Sequence, residues 1–178
     1  SEVTYTINGK ETYKDYHAVE NIENGIKLVQ NLIIQTLGRE TFNSIKLCIH
    51  RVVHGGDKYY GPVKDSPQVR IDITEYYKLA PLHNPQNLQG IMAADKVFHG
   101  TEQIICFDTA FHQTLPEIAK RYPLPERLYK QYKIMKYGFH GLSHEHALIE
   151  TARLLNKKLT EFNMISIHLG EGSSMCAI

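Results

Sequence analysis

The sequence has no tryptophan, only 3 cysteines, a formal net charge of +1 and no long hydrophobic run. The missing tryptophan decides nothing. The scarcity of cysteine is more informative, because Cys48, Cys106 and Cys176 each sit inside an apolar run. They read as reduced, buried small hydrophobes, which argues against a disulfide scaffold and for an intracellular, cytoplasmic setting. Near-neutral charge removes the usual reasons to expect a nucleic-acid or membrane surface. No apolar run approaches the roughly 20 residues that span a bilayer, and Ser1-Glu2-Val3-Thr4 shows no basic-then-apolar signal pattern. What is present is ordinary for a globular chain of 178 residues: 42% hydrophobic and 22% charged, with a mild excess of histidine at 10.

Val3 to Ile7 alternates ahead of Asn8-Gly9, a hairpin signal, and Tyr13 and Tyr16 suggest the returning strand. From Asn21 to Leu37, apolar residues Ile22, Ile26, Val29, Ile33 and Leu37 recur at helical spacing and Gly38 is a stop. Ile45 to Ile49 is expected to be a buried strand continuing into Val52-Val53, and Gln103 to Phe107 a second one ending at Asp108. Helices are expected over Thr74 to Leu79, over Gln86 to Phe98 with Asn84 as its cap, and from a Ser143 cap to Leu155. Phe111 to Tyr137 reads as a connector with short helical pieces. Met164 to His168 and Ser174 to Ile178 read as strands around a Gly170-Glu171-Gly172 turn. Strands alternating with helices predict an α/β fold with a mixed or parallel sheet. The last hairpin leaves an edge unpaired, so the chain is expected to be an internal fragment or to depend on something that completes it.

Five clusters carry candidate chemistry, most of them at strand ends, where open α/β sheets bind ligands. His50-Arg51-Val52-Val53-His54-Gly55-Gly56 offers an arginine fork for an anion and glycines for close backbone approach; a surface salt bridge and a turn would look the same. Leu79 to Pro85 holds His83 in a proline-stiffened corner that is equally readable as purely structural. Asp108, directly after a strand, suits a base or the orientation of a magnesium shell, or a helix cap. Tyr137-Gly138-Phe139-His140-Gly141-Leu142-Ser143-His144 sets a histidine between glycines. His168-Leu169-Gly170-Glu171-Gly172-Ser173-Ser174 is a glycine turn of the type that cradles phosphate, and also of the type found in many hairpins.

Together and in this order, from about Ile45 to the end and over roughly three quarters of the chain, these clusters resemble the acetate kinase (acetokinase) family. The resemblance implies the ribonuclease H-like actin/sugar-kinase fold, with most of the first lobe at 1–110 and a connector with the start of the second lobe at 111–178. It implies phosphoryl transfer between ATP (with Mg2+) and acetate or propionate, giving acyl phosphate and ADP. It also implies site roles. Arg51 would hold the carboxylate or the phosphoryl group, His140 would stabilise that group with His83 assisting, and Asp108 would be a base or orient magnesium. Val53, Leu82 and Phe139 would line the pocket for the acid's alkyl group. His168, Gly170, Glu171, Gly172 and Ser173 would face the nucleotide phosphates. No dedicated metal ligands are implied. A homodimer is expected only where the rest of the second lobe is present.

The chain departs from the family at Glu171, where the family has Asn; a carboxylate beside phosphates repels them unless a cation screens it. It also lacks the family's opening Asn-x-Gly-Ser-Ser-Ser strand, second catalytic arginine, adenosine motif and late metal-binding glutamate. Alone it is therefore expected to be inactive. Two alternatives differ in class: a non-catalytic fragment or binding domain derived from such a kinase, and, remotely, a metal hydrolase built on the His50/His54 and His140/His144 spacings. Neither histidine pair encloses a Glu, as a zinc helix would.

Overall fold

The computed structural model describes residues 2–7 and 9–178, without the side chains of residues 7 and 10–13. In chain order the first elements are β1 (Glu2–Ile7), β2 (Lys10–Tyr16), α1 (Ile22–Leu37), α2 (Arg39–Asn43), β3 (Leu47–Val52) and β4 (Val63–Lys64). Next come α3 (Pro67–Glu75), a 3-10 turn (Tyr76–Lys78), α4 (Asn84–Val97), β5 (Glu102–Phe107) and a second 3-10 turn (Phe111–Thr114). The chain continues with α5 (Glu117–Lys120), α6 (Glu126–Tyr132), α7 (Gly141–Leu155), β6 (Ile165–Leu169) and β7 (Ser173–Ala177). It divides into two compact units, one of Ser1–Cys48 with Gln89–Thr101 and one of Ile49–Leu88 with Glu102–Ile178.

In the first unit β1 and β2 form the expected antiparallel hairpin, with an irregularity between Tyr5 and Thr6. Asn8 of its anticipated turn lies outside the described residues, while Gly9 takes the positive φ of 76° that a tight turn favours. The Asn21 side chain accepts from the Asn24 N–H at 2.9 Å to start α1. The Gly38 N–H closes the helix onto the Ile34 carbonyl. Thr36 Oγ1 donates to the Tyr5 hydroxyl, and Phe42 and Phe98 pack ring to ring at 5.3 Å.

In the second unit a three-stranded sheet runs in the order β3-β5-β4, with β4 antiparallel to β5. Gln103, Ile105 and Phe107 are its buried residues on β5. Val52, Ile73, Ile105 and Phe107 form the driest part of the core, and the Tyr59 ring stacks on Phe107 at 4.4 Å. Helix α7 packs against β5 and β6, and β6 pairs antiparallel with β7. No helix among the described residues is long and apolar enough to cross a membrane.

Four local expectations need correction. The strand expected to be buried around Ile45–Ile49 is β3. Its residues alternate so that Leu47 and Ile49 are 46% and 66% exposed and only Val52 is buried, because a short apolar run does not distinguish one-sided from two-sided cover. The helix expected at Thr74 begins instead at Pro67, where the Ser66 side chain accepts from the Val69 N–H. Asn84 is the first residue of α4, and its side chain bonds the backbone of His54. Ser143 lies inside α7, whose cap position is His140 in a left-handed conformation.

Candidate active site

A cavity of about 670 Å³ opens in the second unit where β3 and β5 end, lined by Arg51, Val53, Leu79, Ala80, Pro81, Leu82, His83, Asp108, Phe139, His140, Glu171 and Gly172. Each of these comes from one of the five sequence clusters, drawn from positions more than 100 residues apart.

Arg51 leaves the end of β3 and Asp108 the end of β5. The guanidinium Nε donates to Oδ1 and Oδ2 at 2.9 and 3.1 Å, and Nη2 donates to Oδ2 at 2.6 Å. The pair is lopsided: the Asp108 side chain is 2% exposed and that of Arg51 59%. The carboxylate raises the arginine's pKa, so the cation is permanent. The fork uses Nε and one edge of Nη2, so Nη1 and the other Nη2 hydrogen remain to bind an anion from the solvent side.

Val53 and His54 follow β3 and are fixed from α4. Asn87 Oδ1 accepts from the Val53 N–H at 3.1 Å. Asn84 brackets His54, accepting from its N–H at 3.1 Å and donating to its carbonyl at 2.9 Å. His54 is buried, its Nδ1 accepts from the Gly56 N–H, and its ring stacks on Tyr76 and meets Tyr137 and Phe139 edge-on. Burial lowers its pKa to about 4, with Asp57 opposing, so the ring is neutral. Gly55 and Gly56, expected to admit a ligand, are instead required by packing. A Cβ at Gly55 would lie 2.5 Å from the Phe107 ring, and one at Gly56 would overlap the Tyr76 ring at 1.8 Å.

Phe139 and His140 reach the cavity from an unusual backbone. Gly138, Phe139 and His140 all have positive φ, at 86°, 60° and 50°. The left-handed conformation costs a residue with a side chain about 1–2 kcal/mol, so the segment must be held. His112 Nε2 donates to the Phe139 carbonyl at 2.8 Å, and the Gly141 N–H donates to the Asp108 carbonyl at 2.8 Å. The His112 ring fills the space a Cβ at Gly138 would occupy, 2.2 Å away. The His140 ring stacks on His168 at 4.2 Å, and burial, then His168, lower its pKa.

Of the residues expected at the nucleotide phosphates, Glu171 and Gly172 line the cavity. His168, which stacks on His140, is not in the lining, nor are Gly170 and Ser173. Leu82 lines the cavity while remaining 77% exposed. His83 lines it from an exposed position after the Pro81 corner. Asn84, Asn87 and His112 were not singled out from sequence as supports of the site, and His54 was weighed only as half of a metal-binding histidine pair. Among the described residues no group of three or more His, Cys, Asp and Glu side chains is placed to hold a metal ion. The His140/His144 pair is bridged by the Ser174 hydroxyl.

The acetokinase family's sequence profile matches residues 1–178. The chain belongs to the acetokinase family. It is 43% identical over 173 residues to the acetate kinase of Caldicellulosiruptor bescii, covering 96% of this chain and 43% of that one. It is 41% identical over 180 residues to that of Clostridium novyi (strain NT), covering 100% and 45%. Among solved structures, Porphyromonas gingivalis acetate kinase superposes with a TM-score of 0.89 at 31% identity, covering 99% of this chain and 45% of that one. A propionate kinase from Francisella tularensis subsp. tularensis SCHU S4 gives 0.88 at 30%, covering 99% and 44%. The expected α/β fold therefore stands, and the chain spans less than half the length of these relatives.

Proposed function

We propose that this chain carries the acyl side of a phosphotransfer site that moves phosphate between ATP and acetate or propionate. The observation that carries the proposal is the juxtaposition, in one cavity, of a solvent-facing arginine locked by a buried carboxylate, a histidine on a fixed backbone, and an apolar wall of Val53, Leu82 and Phe139. A short carboxylic acid needs a cationic fork and a small apolar recess side by side. Phosphoryl transfer adds only a need for positioned donors around the equatorial oxygens. A carboxylate oxygen of the acid bonds to the γ-phosphorus as the bond from phosphorus to the ADP oxygen breaks.

Arg51 then holds the acid's carboxylate and afterwards the group in flight. His140 donates to that group, and His83 assists from the cavity rim. Asp108 is fully engaged by Arg51, which favours an orienting role over that of a base. Glu171 and Gly172 face the phosphates, with His168 behind His140 and with Gly170 and Ser173 shaping the turn. Magnesium fits only as an ion carried in on the nucleotide. Its shell is largely filled by phosphate oxygens and water, with one or two carboxylates, and Asp108 and Glu171 are the carboxylates lining the cavity. There it would neutralise phosphate charge. Residues 1–110 and 111–178 would belong to the first lobe and to the connector with the start of the second. A reaction using ATP and a small organic acid suits the cytoplasm, in keeping with half-buried cysteines, outside any disulfide, at positions 48, 106 and 176.

The test is titration of acetyl phosphate into the 178-residue chain, followed by nuclear magnetic resonance. Saturable binding should appear, and Arg51→Ala should weaken it roughly tenfold to a hundredfold, the worth of a charge-assisted hydrogen bond. Binding unaffected by that substitution, or no binding at all, would refute the assignment. Because the chain spans under half of its relatives' length, a hydroxamate assay with ATP or pyrophosphate should find no acyl phosphate made by the chain alone. Turnover there would show that the 178 residues suffice.

A further inference from the structure

Behind His140 runs a row of alternating hydroxyls and imidazoles that the proposed reaction does not itself call for. Ser174 Oγ, on β7, lies 2.8 Å from His140 Nδ1 and 2.9 Å from His144 Nε2. Ser166 Oγ, on β6, lies 2.9 Å from His144 Nδ1. His144 and Ser166 are buried, at 1% and 7% exposure. Burial first, and then neighbouring histidines, lower the pKa values of His140 and His144, so both rings are neutral near pH 7.

A neutral imidazole has one N–H and one lone pair, and a hydroxyl has one proton to give. With both rings neutral, three proton arrangements fill all three contacts. In one of them Ser174 accepts from both rings and its own proton is left without an acceptor in the row. The other two run in opposite directions. One requires Nδ1–H on both histidines, and the other requires Nε2–H on both. The Nε2–H form is the intrinsically more stable tautomer of a histidine side chain, so the direction favoured twice over runs from Ser166 to His144 to Ser174 to His140.

We infer that Ser166, His144 and Ser174 are positioning residues that form a one-way hydrogen-bond chain and hold His140 as its Nε2–H tautomer, with a donor facing the cavity. The Nε2 edge of the ring lies beside Gly172, 3.6 Å from where a Cβ on that residue would stand. With the opposite tautomer, the ring would turn a lone pair toward an incoming anion, and the contact would be repulsive. The use of this donor on a phosphoryl group rests on the function proposed above. The tautomer does not.

The experiment is a long-range proton–nitrogen correlation spectrum of the imidazoles in the whole, nitrogen-15-labelled chain at neutral pH, without ligand. His140 and His144 should each show a protonated Nε2 and an unprotonated Nδ1. In Ser174→Ala the two His140 nitrogens should move toward each other as the tautomers exchange. Ser174→Thr, which keeps the hydroxyl, should restore the wild-type pattern. A wild-type His140 protonated at Nδ1, or a Ser174→Ala spectrum identical to wild type, would overturn the inference. Acetyl phosphate added to the same wild-type sample separates the two proposals. If the tautomers are as described but His140 Nε2 does not respond, the hydrogen-bond chain stands and the phosphoryl role of His140 falls.

Discussion

Replacing Arg51 with alanine and, separately, Asp108 with asparagine should give unequal losses of stability. The two side chains share three hydrogen bonds, but one end is in solvent and the other is not. In Asp108→Asn the guanidinium loses its counter-charge and remains hydrated, and the amide oxygen still accepts from it. The cost is that of weakening a charge-assisted bond, about 1–2 kcal/mol. In Arg51→Ala a carboxylate that is 2% exposed loses the partner of all three bonds. Breaking a buried pair from that side costs about 3–5 kcal/mol. The double variant Arg51→Ala with Asp108→Asn should recover part of the larger loss, because a neutral amide is less costly to strand than a charge. Urea unfolding followed by circular dichroism measures all three. Equal losses, a larger loss in Asp108→Asn, or a double variant less stable than Arg51→Ala would refute the reasoning.

Asn84→Ala should destabilise by about 2–4 kcal/mol in the same assay, since it strands the buried N–H and carbonyl of His54. Asn84→Asp should not rescue it, because a carboxylate cannot donate to that carbonyl. Gly138→Ala should cost about 2–4 kcal/mol from positive φ and overpacking, and it should weaken acetyl phosphate binding as His112 is pushed off Phe139. His54 gives stability an acid limit. Its folded pKa is about 4 against an ordinary 6.5, so between those values the unfolded chain takes up a proton that the folded chain refuses. Stability from this group is complete above 6.5 and is lost toward pH 4, by up to about 3 kcal/mol. His54→Gln should flatten that slope. Glu171→Asn should tighten acetyl phosphate binding roughly twofold to fivefold at low salt, the worth of one exposed repulsive charge, with the gain shrinking as salt is added.

The parts of the fold legible in the sequence are those whose signals are local. Gly38 ends α1 as expected, because the stop is written in the residue itself. The glycine turn between β6 and β7 is read the same way. The residues that line the candidate site were legible because most fall at strand ends in recognisable clusters. Their supports were not, because a support is defined by a distant partner. Asn84 beside Pro85 has the look of a helix cap, and nothing nearby tells that its amide brackets His54, 30 residues away. Ser143 likewise resembles a cap, yet the left-handed run before it starts α7 at Gly141 and leaves its hydroxyl against His168. Gly55 and Gly56 suggest ligand approach, while the rings of Phe107 and Tyr76 are what exclude any side chain there.

That division between members and supports bears on which substitutions matter. Leu82 and His83 face the cavity from exposed positions on a corner where side chains can change without stranding buried polar atoms. The groups behind them are dry and mutually dependent. His54 packs on Phe139, His112 holds the Phe139 carbonyl, and Asp108 presents both its side chain to Arg51 and its carbonyl to Gly141. Phe139 is thus tethered from β3 and from the turn after β5, and His140 follows it by one peptide bond. The strain of two left-handed residues is sustained only while these tethers hold. A loss at any one tether should therefore reach the proposed alkyl pocket and the donor proposed on His140 together, whereas a change at Leu82 should alter only which acid the proposed pocket fits. In binding experiments, variants of His54 or His112 should lose affinity for propionyl and acetyl phosphate in parallel, and variants of Leu82 should change the ratio between the two.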